Sequence, residues 1–232
     1  DDWARRLPLL VDALAEVDPD LLALQEVCRA PDDSEDALPA LLDALAARTG
    51  RVYAHHRRET HLAWDTWQEG VALVSAFDVL DRADAGLPAE RLPRAAVALR
   101  VQTPLGPAVA AVTHLAAEAD QAAQRVQQAE AAVAVLDGLA QPGDLRVLMG
   151  DFNEVPGGDA VAATLAAGFT DAWSAVQGAA PGPTFPSDAP ARRIDYVFVD
   201  APAEVLEAER FLDVEVDGVR PSDHLGVRAG LR

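Results

Sequence analysis

The sequence predicts an α/β fold in which helices alternate with strands of mixed sheets. Apolar residues recur at helical spacing in three long segments of the 232-residue chain, and short β-branched runs lie between those segments. Two of the runs are joined by a turn containing Pro and Gly, which predicts a hairpin. Because a hairpin is antiparallel whereas strands separated by helices are often parallel, the sheets are expected to be mixed.

The first third of the chain reads as helix, strand, helix. Apolar residues from Leu7 to Val17 predict an amphipathic helix that stops at Asp18-Pro19. The run 21–24 leads into Gln25-Glu26-Val27 and predicts a buried strand with a charged end. A second helix is expected from about 36 to 49, closed by Gly50.

The middle of the chain contains the hairpin and the longest helix. Strands are predicted at 71–75, 97–101 and 109–112, and the last two are joined through the turn 103–107. The segment from about 119 to 139 places its apolar residues on one face and is expected to be the longest helix. The remaining predicted elements are a strand at 145–149, a short helix at 159–167, a loop at 181–190, and strands at 194–199 and 227–231.

Composition limits the classes of function. The net charge is −19 and half of the residues are hydrophobic, as expected for one globular domain over residues 1–232. Duplex DNA binding relies on Lys and Arg that neutralise phosphates, so this acidic chain is a poor general DNA binder. No apolar stretch reaches the roughly 20 residues that span a bilayer. Cys28 is the one cysteine, which excludes an internal disulfide and gives no support for a thiolate metal site.

Asp151 and Asn153 follow the apolar run 145–149. On a strand, residues two apart point to the same side, so these side chains are expected to converge on one small target. A carboxylate beside a carboxamide can deprotonate and orient a water molecule. The alternative is a polar turn after the strand, because aspartate also caps turns and helices.

Two other polar residues end apolar strands. A lone charge such as Glu26 is costly there unless it meets a cation or a hydrogen-bond donor, so Glu26 is a candidate ligand for a divalent ion. A solvated strand end is the alternative. His114 ends the run 109–112, and taken alone it is more often a structural hydrogen bonder.

A third polar group lies near the C-terminus. Asp195 is flanked by bulky β-forming residues, and an acid in such a run needs a partner, for which a histidine is suitable. Asp223 and His224 are adjacent, and neighbours on a strand point apart, so we expect them to act from a loop. The alternative is a polar turn before the final strand.

The order of these motifs resembles that of the endonuclease/exonuclease/phosphatase superfamily, which is DNase I-like. The six matching segments are Gln25-Glu26, Glu69 to Ser75, Thr113-His114-Leu115, Gly150 to Asn153, Arg193 to Tyr196 and Ser222-Asp223-His224. The resemblance covers nearly the whole chain. It implies a four-layer α/β sandwich of two packed mixed β-sheets with helices outside. It also implies a phosphoester hydrolase.

The resemblance assigns a metal site and its neighbours. It implies that Glu26 binds Mg²⁺ or Mn²⁺ with Asp223 near the same site, and hard divalent ions prefer such oxygen ligands. His114 is expected to bind a non-bridging phosphate oxygen. Glu69 matches a position where some relatives have an acid paired with that histidine.

The resemblance also implies the catalytic groups. Asp151 accepts a proton from the attacking water, while Asn153 orients that water or a phosphate oxygen. His224 donates to the phosphoryl group as negative charge grows, and Asp195 holds its imidazole in the useful tautomer.

The sequence departs from the superfamily pattern in two places. The usual first strand carries an Asn that helps to build the metal site, yet only Asp1 and Asp2 precede the first helix here. We therefore expect the chain to have lost an N-terminal segment that holds this strand. The second departure is Ser75-Ala76-Phe77, where relatives usually show Ser-Arg-Phe.

The loop 184–188, followed by two arginines, resembles bacterial members of uncertain substrate. We expect a small-molecule, inositol or lipid head-group phosphate as substrate, bound by Arg94, Arg192 and Arg193, and hydrolysed by a protein that is a monomer. A local basic groove that includes Arg91 leaves a DNA nuclease as the alternative. A catalytically degenerate binding or scaffold module is the alternative of another class. The sequence indicates no compartment.

Overall fold

The computed structural model describes residues 3–200 and 203–232; Asp1 and Asp2, on which the expectation of a lost segment depends, lie outside this range. The helices are α1 (Trp3–Val17), α2 (Ala37–Thr49), α3 (Ala122–Leu139), α4 (Asp159–Ala166) and α5 (Ala172–Gln177). The strands are β1 (Leu21–Arg29), β2 (Ala54–Ala63), β3 (Trp67–Ser75), β4 (Asp78–Leu87), β5 (Arg94–Thr103), β6 (Gly106–His114), β7 (Leu145–Asp151), β8 (Phe169–Asp171), β9 (Asp195–Asp200), β10 (Val205–Phe211) and β11 (Gly226–Leu231).

Local chemistry sets the ends of the predicted helices. The carboxylate of Asp36 accepts a hydrogen bond from the Leu38 backbone N–H at the start of α2. Gly50 ends the same helix at φ 75°, a left-handed conformation that glycine adopts without strain. Among the described helices none is long and apolar enough to cross a membrane.

The larger sheet has six strands in the order β4-β5-β6-β7-β9-β8. The predicted hairpin is present, since β5 and β6 are antiparallel and Thr103 pairs with Gly106. Strands β6 and β7 are parallel, with α3 between them in the chain, and the other pairs are antiparallel. This sheet is therefore mixed, as expected.

The opposite sheet layer consists of two antiparallel pieces. One has the order β1-β3-β2 and the other pairs β10 with β11. Among the described residues, no strand pairs with the second edge of β1 or with that of β11. A cavity of about 1550 Å³ is lined by residues of both strands and extends to the polar residues near the strand ends.

Three apolar clusters hold four layers together. The first packs α3 and α4 against one face of the six-stranded sheet, through side chains such as Leu136 and Phe198. The second fills the space between the sheets, where Leu73 meets Val97 and Val112. The third packs α1 and α2 on the outside of the smaller sheet pieces. The predicted four-layer sandwich is confirmed.

The three-residue strand β8 was not predicted from the sequence. The longer strands β2, β4 and β10 were not predicted either. Each lies at the edge of its sheet and leaves most of its side chains at least partly exposed. Edge strands need no continuous apolar face, so polar sequences such as His55 to Thr60 give little β signal.

Candidate active site

Three neighbouring strands of the large sheet place their polar ends side by side. In the parallel pair β6 and β7, His114 lies opposite Asp151. In the antiparallel pair β7 and β9, Asp151 lies opposite Asp195. The sheet therefore brings together three residues that are far apart in the sequence.

His224 joins this row from the loop before β11. Its Nδ1 lies 2.9 Å from Oδ2 of Asp195, which leaves Nε2 as the outer ring nitrogen. Burial opposes protonation of His224, but the hydrogen bond and charge of Asp195 outweigh it and raise the pKa of His224 to about 9. The raised pKa favours the protonated ring at neutral pH, and with Nδ1–H directed at Asp195 the Nε2 atom carries a proton to donate only in that form.

His114 and Asp151 form a second pair with a different electrostatic character. Nε2 of His114 is 3.5 Å from Oδ2 of Asp151. Burial, followed by the charges of Arg94 and His224, holds the pKa of His114 well below its usual value. Burial and then the charge of Asp195 raise the pKa of Asp151 to about 7. His114 is thus neutral, and Asp151 can gain or lose a proton near neutral pH.

Asn153 lies beside Asp151 for a reason other than the one predicted. Strand β7 ends at Asp151, and Asn153 has a left-handed backbone with φ 49°, so strand alternation does not apply. Instead, the Asn153 backbone N–H donates to Oδ1 of Asp151 at 2.7 Å. The Asn153 Nδ2 donates to the Leu115 carbonyl at 3.1 Å, which fixes the amide orientation.

A β-bulge positions Glu26. The pairing of β1 with β3 shifts between Leu24 and Val27, and Glu26 within the bulge has φ 54°. Bulges of this kind redirect side chains and are frequent beside active sites. Loss of solvation, then the charges of Glu69 and Asp223, raise the pKa of Glu26.

The acids around Glu26 fit a hard divalent cation. Like-charged carboxyls that raise the pKa of Glu26 are destabilising together, and a cation between them removes that repulsion. A second arrangement brings ligand atoms of Asp151, Asp195 and His224 within 4.8 Å of one another. A cation bound to Asp195 and His224 would compete with their 2.9 Å hydrogen bond.

Glu69 pairs with a histidine other than the predicted one. Its Oε1 lies 3.0 Å from Nε2 of His61 on β2, whereas His114 pairs with Asp151. The assignment of Glu69 as the partner of His114 is corrected accordingly. Sequence reasoning missed His61 because β2 itself was not predicted.

The predicted arginines lie in different environments. Arg94 is 7% exposed, and its Nε has no hydrogen-bond partner in the described structure, although the charges of Asp151, Glu26 and Glu69 act on it. Arg192 is exposed and stacks on Phe185, with its Cζ 5.1 Å from the ring centroid.

Arg193 is buried, and its Nη1 lies 2.7 Å from Oδ2 of Asp171. Its guanidinium also covers the Tyr196 ring at 4.8 Å. These contacts hold the Arg193 guanidinium against Asp171 and Tyr196, which indicates a structural role. Arg91 pairs with Asp120 on the surface, so a basic groove formed by free arginines is not present at these positions.

The segment 184–187 connects the loop of His224 to the start of β9. The backbone N–H groups of Ile194 and Asp195 donate to Oγ1 of Thr184. The Ser187 backbone N–H donates to the Asp223 carbonyl at 2.6 Å, and its hydroxyl donates to the Ser222 carbonyl.

Phe185 in the same segment packs on His224, with ring centroids 4.7 Å apart. Sequence reasoning noted this loop only through its resemblance to other loops and gave Phe185 no role. An aromatic residue within a Pro-rich loop before Asp195 was the available signal.

A four-layer α/β sandwich with acids and histidines at the strand ends defines a protein of the DNase I-like class. The sequence model of the Endonuclease/Exonuclease/phosphatase family matches residues 1–224, and the chain belongs to that family. Members of the superfamily are hydrolases that act on phosphoesters, and they are generally dependent on divalent metals.

Solved structures agree on the fold. A family protein from Leptotrichia buccalis C-1013-b is 20% identical with a TM-score of 0.81, over 100% of this chain and 94% of that one. A family protein from Beutenbergia cavernae DSM 12333 is 25% identical with a TM-score of 0.78, over 97% and 66%. The mannosyl-6-phosphatase of Bacteroides thetaiotaomicron VPI-5482 is 19% identical with a TM-score of 0.77, over 99% and 91%. No curated protein sequence gives a significant match.

Proposed function

We propose that this protein is a divalent-metal-dependent phosphoesterase that hydrolyses a phosphodiester or phosphomonoester by direct attack of water. The observation that carries the proposal is the geometry of the strand ends: sheet pairing sets His114, Asp151 and Asp195 side by side, and Nδ1 of His224 lies 2.9 Å from Oδ2 of Asp195. Asp151, with a pKa raised to about 7, is suited to accept a proton, while His224, with a pKa raised to about 9, is suited to donate a hydrogen bond.

Glu26 and Asp223 are the residues that would hold Mg²⁺ or Mn²⁺, with Glu69 as a neighbouring acid. A bound divalent ion would supply Lewis-acid stabilisation of the charge that develops on the phosphoryl oxygens. The raised pKa of Glu26 supports this assignment, because a crowded carboxyl of this kind gains most from a nearby cation.

The side chains of the protein would supply the remaining steps, which are proton transfer and hydrogen bonding to the phosphoryl group. Asp151 accepts the proton of the attacking water, and the Asn153 N–H holds Oδ1 of Asp151 in place. His224 donates from Nε2 to a phosphoryl oxygen, because Asp195 occupies its Nδ1. Neutral His114 contributes an uncharged hydrogen bond beside Asp151.

The substrate we propose is a small phosphate ester: a sugar, inositol or lipid head-group phosphate. The net charge of −19 disfavours duplex DNA, and two of the four arginines in the expected basic groove are engaged by aspartates. The Bacteroides relative described as a mannosyl-6-phosphatase supports a small phosphomonoester. Exposed Arg192 and buried Arg94 remain candidate phosphate contacts.

Turnover and metal binding together test this function. Isothermal titration of Mg²⁺ or Mn²⁺ is expected to show saturable binding that weakens at least about tenfold in Glu26→Gln, because one anionic ligand is lost. Hydrolysis of bis-p-nitrophenyl phosphate is expected to fall at least about 100-fold in Asp151→Asn.

Glu118→Gln is the matched control, since Glu118 is an exposed acid outside the cavity. A scaffold protein would show neither saturable metal binding nor Asp151-dependent turnover. A nuclease would instead cleave plasmid DNA, with activity that falls steeply as salt rises.

A further inference from the structure

Two buried polar side chains of α3 lie on the helix face that otherwise packs apolar residues into the core. Arg125 is 5% exposed and Gln128 is 0% exposed. Residues three apart share a helix face, so these side chains can reach the same neighbouring segment. A buried charge is costly unless hydrogen-bond acceptors surround it, so the contacts of Arg125 indicate what it holds in place.

Arg125 and Gln128 bind the segment that follows His114. Nη1 of Arg125 donates to the backbone carbonyls of Ala116 and Glu118, at 3.2 Å and 2.8 Å. Oε1 of Gln128 accepts from the Ala116 backbone N–H at 2.8 Å. Both polar backbone groups of Ala116, two residues after His114, are therefore bonded to side chains of α3.

The same guanidinium binds the segment that follows Asn153. Nη2 of Arg125 lies 3.3 Å from Oε1 of Glu154, and these side chains are 6% and 11% exposed. Oε2 of Glu154 accepts from the Ala160 backbone N–H in the first turn of α4. A Cβ atom at Gly158 would lie 2.3 Å from Cγ of Glu154, so the glycine leaves room for this side chain. Glu154 is thus fixed directly beside Asn153.

The two segments are also bonded to each other at the active site. The Leu115 N–H donates to the Asp151 backbone carbonyl at 2.9 Å, and Nδ2 of Asn153 donates to the Leu115 carbonyl at 3.1 Å. The Asn153 N–H in turn holds Oδ1 of Asp151. A shift of one segment relative to the other would therefore change the 3.5 Å distance between His114 and Asp151.

Stability alone is a poor explanation for this buried ion pair. Replacing a buried ion pair with apolar residues of similar volume is often neutral or stabilising, because desolvation offsets the attraction. Nε of Arg125 has no hydrogen-bond partner among the described residues, which adds to the cost of burial. A guanidinium provides direction instead, since its donors form a rigid planar fork. In Arg125 that fork joins two backbone carbonyls of one segment to a carboxylate of the other.

We infer that Arg125 is a positioning residue that, together with Gln128 and Glu154, sets the distance between His114 and Asp151. This inference rests on the proposed phosphoesterase function and adds to it residues that do not line the substrate cavity. Arg125 acts through the backbone of the two segments, and so keeps Asp151 placed to accept the proton of the attacking water.

Steady-state kinetics on bis-p-nitrophenyl phosphate at saturating metal tests the inference. Arg125→Met is expected to lower kcat at least about tenfold while KM changes less than twofold, because a displaced base slows the chemical step without loss of a substrate contact. Arg125→Lys is expected to lose a similar rate, since an ammonium group keeps the charge but not the fork. Glu154→Gln keeps one acceptor and the side-chain size, so it is the milder variant, with an expected loss of about threefold.

Arg100→Met is the matched control. Nε of Arg100 donates to Asp144 at 2.7 Å, and this pair is also largely buried. Asp144 precedes β7, so it lies roughly 20 Å from Asp151 along the strand. Arg100→Met is expected to lower the melting temperature while kcat and KM stay at the wild-type values. Equal losses of kcat in Arg100→Met and Arg125→Met would overturn the inference, as would a wild-type kcat in Arg125→Lys.

Amide hydrogen exchange of the metal-free protein separates this inference from the proposed function. The N–H groups of Leu115 and Asn153 report the contacts between the two segments and are followed by nuclear magnetic resonance without turnover. In Arg125→Met, their exchange is expected to accelerate at least about tenfold more than exchange at Val97, which is buried in the centre of the large sheet. Equal acceleration at all three amides would show general destabilisation and remove the inference.

The two measurements together distinguish the possible failures. Asp151-dependent hydrolysis that is unaffected by Arg125→Met would remove the inference and leave the phosphoesterase intact. Selective acceleration at Leu115 and Asn153 in a protein that shows no turnover would support the positioning of the two segments and remove the proposed function.

Discussion

Two histidine–aspartate pairs lie in the same cleft, and their protonation states are opposite. His224 and Asp195 meet at 2.9 Å, with a quarter of the His224 side chain exposed. His114 and Asp151 are 3.5 Å apart, and 8% of the His114 side chain is exposed. The pKa of His224 is raised to about 9, whereas the pKa of His114 is held well below its usual value.

The difference follows from what each imidazole gains when it is charged. His224 has a short hydrogen bond to a carboxylate, and that bond outweighs a partial loss of solvation. His114 is buried deeply, with Arg94 and His224 as nearby positive charges and a longer approach to its aspartate. Residue types alone therefore do not define a catalytic acid, because burial and hydrogen-bond length decide which imidazole carries the proton.

Replacing each histidine in turn gives the largest expected difference. His224→Ala is expected to lower kcat at least about 100-fold, because it removes a charged donor that acts as the transition state forms. His114→Ala is expected to have a smaller effect, about tenfold, because a neutral hydrogen bond contributes less. The measurement is kcat on bis-p-nitrophenyl phosphate at saturating metal. An equal loss in both variants would contradict the distinction between the pairs.

Asp195→Asn removes the carboxylate from the His224–Asp195 pair while keeping a side chain of the same size. Since the pKa of His224 in the folded protein lies above 6.5, protonation of His224 contributes stability that is fully present below pH 6.5 and is lost between about pH 6.5 and 9. The variant is expected to lower the pKa of His224 and to remove this pH-dependent stability. Its kcat is expected to fall about tenfold, since the imidazole remains but is no longer held as a cation.

Nuclear magnetic resonance titration of the metal-free protein provides the measurement. The ring signals of His224 should titrate near pH 9 in the wild type and lower in Asp195→Asn, while those of His114 should show no protonation near neutral pH in either. A wild-type His224 that titrates at 6.5 would show that the Asp195 bond does not set its charge.

The sequence was sufficient to predict the helices and strands that carry apolar patterns, and to identify the polar candidates at the strand ends. Helices α1 to α3 and the inner strands carry periodic apolar residues, so their bounds were close to those observed. The candidates His114, Asp151 and Asp195 were found because each ends or begins an apolar strand. Their side-by-side placement needed the pairing of β6, β7 and β9, which no local pattern specifies.

Ion pairs between residues that are far apart in the sequence were predicted least well. Glu69 pairs with His61 because β2 lies beside β3, and β2 has a polar sequence without a clear strand pattern. Arg193 lies two residues before the catalytic candidate Asp195, but β9 begins only at Asp195, so strand alternation does not place the two side chains together, and Arg193 is buried against Asp171. Such contacts depend on tertiary packing rather than on local sequence.

Replacement of Phe185 is expected to have the smallest effect on kcat, and to affect the His224–Asp195 pair but not the His114–Asp151 pair. The Phe185 ring packs on His224, and none of the ring contacts among the described residues involves His114. Phe185→Leu is therefore expected to lower kcat about threefold through a less restrained His224, with KM unchanged, because the lost aromatic contact is weak. Phe185→Tyr keeps the ring and should restore the rate.

A double variant separates this positioning role from a general loss of packing. If Phe185 acts through His224, then Phe185→Leu should cause no further loss of kcat in the His224→Ala background, whereas it should still lower kcat in the His114→Ala background. The His114→Ala background thus serves as the control for the His224→Ala background. A threefold loss in both would assign Phe185 to the stability of the loop 184–187, and the two histidine–aspartate pairs would then differ only in burial and in their aspartate contacts.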